Sequence, residues 1–172
     1  GELEGREKEI SRAARACAPV KQALAVLADN PQDGEANVEV GRWYCFEKND
    51  WPRGLAYLAK VENTTLAELA KRDLAEPISS GQKKQLGDAW WDLSGDERGV
   101  ARVAYICRAA YWYETALIGA TVLDRAAMEK RLETAAGDKN VIESRTWGTV
   151  ADGNVALAIN GTHGYKLIVW SG

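Results

Sequence analysis

Over most of this chain, apolar and polar positions follow the period of an α-helix. Ala36, Val40, Trp43 and Tyr44 fall at helical spacing. The same holds for Leu55, Leu58 and Val61, for Leu86, Ala89, Trp90 and Leu93, and for Val103, Ile106, Ala110 and Tyr113. Proline, glycine and short polar side chains stand between these stretches, where they stop one helix and cap the next. This punctuation predicts helices over Glu2–Ala16 and after Pro19, the latter with Leu24 and Leu27 on its apolar side and Asn30-Pro31 closing it. It predicts another from Gly34 to about Lys48, and one behind Asp50, with Pro52 in the first turn where a missing N–H costs nothing. Thr64 or Thr65 caps a short helix through Leu66, Leu69 and Leu74, which Pro77 ends. Ser79 or Ser80 opens the next, which stops at Ser94-Gly95, and Asp96 opens a long one over Arg98–Leu117. A final helix, Leu123–Ala135, carries Asp124, Arg125, Glu129, Lys130, Arg131 and Glu133 and reads as a solvent-facing cap.

From Asp138 the pattern changes to Val, Ile, Thr and Trp with Gly/Asn turns, and Gly137 reads as the helix stop. Val141–Val150, Asn154–Ile159 and Tyr165–Trp170 are predicted strands, with Val155, Leu157 and Ile159 on one face and Tyr165, Leu167 and Val169 on one face. The expected fold class is therefore mainly α: a stack of antiparallel helix hairpins over residues 1–137, with a small C-terminal antiparallel β meander over 138–172. Such a meander needs a cover for its apolar face. The helical part, a second copy of the chain (a homodimer through these strands) or a larger β domain would each serve. Gly1 at the start and Met128 as the single methionine suggest a piece of something longer.

Composition agrees with a folded domain: 46% of the 172 residues are apolar and 27% charged. A net charge of −3 makes nucleic acid a poor partner, and no apolar run reaches the roughly 18 residues of a membrane span. Cys17, Cys45 and Cys107 lie far apart and His163 is the lone histidine, so no zinc-type spacing exists and no cofactor is implied. Seven Trp and six Tyr beside one Phe suit half-buried seams between helices.

Two stretches repeat one order of chemistry. The first runs Ala36–Tyr44 and then Asn49–Leu58; the second runs Leu86–Trp91 and then Arg108–Leu117. Each has an aliphatic–Gly pair, Val40-Gly41 or Leu86-Gly87, an aromatic three residues after the glycine, Tyr44 or Trp90, and then a second helix with small residues, Gly54 and Val61 or Ala109 and Ala116. Gly41 and Gly87 are expected where the paired helix comes closest. The grammar resembles tetratricopeptide (TPR) repeats of the kind found in large bacterial multidomain proteins. It covers roughly Gly34–Ala136 in two irregular units, with Asn37 and Lys83 standing where the family favours Trp. The resemblance implies a scaffold that binds a peptide or protein along a groove lined by the first helix of each pair. Carried over by position, the groove residues are Val38, Arg42, Cys45 and Phe46 from one unit and Lys84, Asp88, Trp91 and Asp92 from the other. Phe46 and Trp91 equally suit packing against neighbouring helices, and Arg42 and Lys84 equally suit plain surface charges.

Catalytic constellations are not visible. Asp88 and Asp92 are one helical turn apart, but nothing in the sequence supplies the apolar setting that would raise a carboxyl pKa. Trp90 and Trp91 point about 100° apart on a helix, so they form no flat sugar platform; one belongs to the core and the other to a seam. Cys45 and Cys107 sit in apolar company, and His163 lies in a turn sequence without a nucleophile beside it. The leading expectation is a non-enzymatic module for protein interaction or scaffolding. The competing one is an accessory helical region of a carbohydrate-binding or hydrolytic multidomain protein.

Overall fold

A computed structural model describes residues 17–77, 79–139 and 141, and the backbone alone at 148–149, 155–159 and 165–168. Seven helices make up the described fold: α1 (residues 17–29), α2 (Gly34–Phe46), α3 (Trp51–Leu58), α4 (Thr65–Leu74), α5 (Ser80–Gly95), α6 (Gly99–Ala116) and α7 (Val122–Gly137). The chain divides after Leu74 into two compact units, α1–α4 and α5–α7.

In the first unit, Val20, Ala23 and Leu27 form one stripe of α1 and pack on Ala36, Val40 and Tyr44 of α2, so Leu24 lies outside the apolar side expected of it. Asp33 caps α2 by accepting from the Ala36 N–H at 2.9 Å. Asn37, in the position the repeat family gives to Trp, is fully buried. Its Nδ2 donates to the Pro31 and Asp33 carbonyls at 3.0 and 2.8 Å and ties the α1–α2 turn to the helix. At the α2–α3 crossing two glycines meet. A Cβ on Gly41 would stand 2.7 Å from the Leu58 side chain and 3.0 Å from the Gly54 carbonyl, and a Cβ on Gly54 would stand 2.7 Å from the Gly41 carbonyl. Asp50 caps α3 as expected, accepting from Arg53 N at 3.2 Å, and Thr64 caps α4, accepting from Ala67 N at 3.1 Å. The inward face of α4 carries Ala67, Leu69 and Ala70, while Leu74 is exposed.

In the second unit, Ser79 and Gln82 form a reciprocal capping box that starts α5. α6 is the central helix: Val103, Tyr105, Ile106, Ala109, Ala110, Trp112, Tyr113 and Ala116 are all buried. Ser80 Oγ at the start of α5 donates to the Ala116 carbonyl at the end of α6, holding the hairpin at its open end. Gly87 gives room for Tyr113, whose ring would lie 2.7 Å from a Cβ there, and Trp90 is buried against Tyr105 with ring centroids 5.3 Å apart. Asp96 closes α5 rather than opening α6; α6 starts behind Arg98, at Gly99, whose φ of +59° favours glycine.

The expected fold class needs correction. Its mainly helical character holds, but the small C-terminal β meander does not. Val141, expected to open a ten-residue strand, is helical and buried with Val103, Ile106 and Ala135, so its apolar side chain serves the helical core instead. α7 runs through Gly137 to a cap at Asp138, so Gly137 is not a left-handed stop. Among the described residues beyond, antiparallel backbone pairing joins Gly148–Thr149 to Val155–Ile159 and that strand to Tyr165–Ile168. A folded meander is not shown. The Glu2–Ala16 helix, His163 and the two predicted strand faces, with the homodimer built on them, lie outside the residues described with side chains.

Candidate functional site

The expected groove residues fall in two separate places. On α2, Val38, Arg42 and Phe46 are half-buried, with Phe46 tilted against Trp51 at a ring distance of 6.4 Å. Cys45 is only 2% exposed, against Gly54, so it offers nothing to a ligand. The aromatic faces nearby already carry cations of the chain itself: Lys48 over Trp43 at 4.9 Å, Arg53 over Tyr44 at 4.0 Å and Lys60 over Tyr57 at 5.1 Å.

On α5, Lys84, Asp88, Trp91 and Asp92 gather around one point. Asp88 Oδ2 accepts from Lys84 Nζ at 2.9 Å, one helical turn back. Asp88 Oδ1 accepts from the Tyr113 hydroxyl of α6 at 2.9 Å and from Arg131 Nη1 of α7 at 2.8 Å. Arg131 Nη1 also donates to the Tyr113 hydroxyl, and Nη2 faces Asp92 at 3.9 Å. The guanidinium carbon lies 5.5 Å from the Trp91 ring centre and 5.8 Å from that of Tyr113. Asp124 of α7 stands 4.0 Å from Lys84. Burial, above all, raises the Tyr113 phenol well beyond its ordinary value; the Arg131 hydrogen bond opposes this, and the Asp88 charge and hydrogen bond add to it. The phenol therefore stays a neutral donor to Asp88. The arrangement is a guanidinium cage: two aromatic faces, two carboxylates and a hydroxyl around a single planar cation.

Sequence reasoning found the α5 side of this cage and missed the α7 side. Arg131, expected on a solvent face, turns toward α5 and α6, and Asp124, half-exposed at the start of α7, reaches to 4.0 Å from Lys84. The signal was present, because Arg131 sits on the same stripe as Met128 and Ala135, the two buried residues of α7. Trp90 and Trp91 divide into core and seam as their angular spacing requires.

A second surface feature is aliphatic. Ile118, Val122 and Leu123, within six residues at the α6–α7 turn, are 85%, 88% and 81% exposed. Among the described residues, no group of three His, Cys, Asp or Glu side chains could hold a metal ion, and no helix is long and apolar enough to cross a membrane. No disulfide links Cys17, Cys45 and Cys107. No protein-family model, curated protein or solved structure matches this chain.

Proposed function

We propose that this chain is a non-enzymatic protein-interaction module, built from two degenerate helical hairpins of TPR-like design, and that the α5–α7 unit presents the contact surface. The observation that carries this reading is the aliphatic cluster Ile118, Val122 and Leu123, exposed at one turn of a domain that buries most of its aromatics. Large aliphatic side chains exposed this fully within six residues suit a surface on which another polypeptide docks. The close glycine contacts support the hairpin design: Gly41 with Gly54, and Gly87 under Tyr113, are the near approaches the repeat grammar calls for.

The test is the triple variant Ile118→Ser, Val122→Ser, Leu123→Ser. Its side chains support no core, so its melting curve should match that of the parent. Affinity capture from the native cell should then recover a protein with the parent chain and lose it with the variant. Equal recovery by both chains, or none by either, would end this reading.

A further inference from the structure

The walls of the cage belong to α5 and α6, and its occupant belongs to α7. Asp88, Trp91 and Asp92 stand on α5, Tyr113 stands on α6 over Gly87, and the Tyr113 hydroxyl donates to Asp88 within the α5–α6 hairpin itself. α7 itself grips lightly, burying only Met128 and Ala135 of its own length. The cage is open to water on one side: the Asp92 side chain is 74% exposed, and Asp88 and Arg131 are 30% and 34% exposed. With α7 lifted away, two carboxylates (Asp88 and Asp92) face one ammonium, Lys84, so the vacated face carries one net negative charge. Lys84 already holds Asp88 Oδ2; the remaining oxygen, the phenol and the two ring faces match a flat fork of donors better than a point charge.

We infer that the α5–α6 face is a receptor for an arginine-bearing helix, which α7 occupies in cis and a partner helix of the same pattern takes in trans. That pattern is written in α7: Met128, Arg131 and Ala135, an apolar residue, an arginine three positions on and a small residue four beyond that. Residues 122–123 and the α6–α7 turn stay outside the grip, while Val141 keeps the far end of the displaced helix tethered. The inference rests on the reading of this unit as a protein-binding module and names the chemistry of what it binds.

The probe is a fluorescein-labelled peptide of residues 122–139, titrated by anisotropy against the full chain. Against the parent the peptide competes with a tethered α7 at an effective concentration on the order of millimolar, so binding is weak. Against Arg131→Ala it should bind about tenfold or more tighter, because the cage is empty. Adding Asp88→Asn to that chain, or changing the peptide's own arginine to alanine, should remove the gain. Equal affinity for parent and Arg131→Ala, or binding that survives loss of the peptide's arginine, overturns the inference. If circular dichroism shows Arg131→Ala unfolded, Met128→Ala loosens α7 with the cage walls intact and must show the same ordering. If the serine triple variant keeps its cellular partner while the peptide behaves as expected, the aliphatic surface is wrong and the cage stands. If the triple variant loses its partner and the peptide shows no arginine dependence, the cage is wrong and the module reading survives.

Discussion

The α2–α3 and α5–α6 hairpins both place glycine at their crossing, but the space it leaves is filled differently. At Gly41 and Gly54 backbone closes the gap together with the Leu58 and Cys45 side chains: each carbonyl lies within 3.0 Å of where the other's Cβ would be. At Gly87 the gap is closed by the Tyr113 ring, which the hydroxyl contacts to Asp88 and Arg131 hold in place. Backbone cannot move without moving its helix, whereas a ring can turn if its hydrogen bonds yield. The first hairpin is thus fixed by helix geometry and the second by a polar network that doubles as a cage.

Substitutions should separate the two, and the largest effect is expected at the backbone crossing. Gly54→Ala forces a methyl group against the Cys45 side chain and backbone and the Gly41 carbonyl, and should cost about 3 kcal/mol in chemical denaturation, even after the roughly 1 kcal/mol that alanine returns in helix propensity. Gly87→Ala should cost less, about 2 kcal/mol, and less again in a Tyr113→Phe background where the ring is free to turn. Equal penalties at Gly54 and Gly87, or no coupling between Gly87 and Tyr113, would mean the two crossings are one design after all.

Alkaline titration sharpens the same contrast. The folded phenol of Tyr113 is raised above its unfolded value near pH 10, so its contribution is whole below that pH and is lost as pH climbs towards the folded value. Unfolding free energy should fall above about pH 10 by up to about 1.4 kcal/mol per pH unit more in the parent than in Tyr113→Phe. Superimposable pH profiles would show that Tyr113 ionises as freely as an exposed tyrosine. A smaller effect is expected at the helix start: Ser79→Ala removes half of the capping box and should cost about 1 kcal/mol. The smallest is expected at Glu68→Gln, which breaks an exposed pair with Lys71 and should change stability by less than about 0.5 kcal/mol.

Local chemistry was the legible part of this fold. Asp50, Thr64 and Ser79 cap the helices that follow them because a short acceptor reaches an N–H three residues on, a relation contained in a few adjacent residues. Gly41 and Gly87 were found by their place in the repeat grammar. The cage was half legible. Asp88 and Asp92 share a face by spacing, but Arg131 is 43 residues from Asp88, and nothing local says which side of α7 meets α5. Val141 misled because the β-branched pair Val141-Ile142 ahead of a changed composition reads the same in a strand and in a buried helical turn; only the neighbours Val103 and Ile106 decide for Val141.

Val141 also sets how the unit bears load. A pull on the chain from its C-terminal side meets this buried side chain, and then the 2.7 Å Arg102–Asp138 pair, before any force reaches α7. Tension from that direction is taken up in the centre of the unit, so α7 is shielded from being peeled off turn by turn and would have to be levered up from its other end.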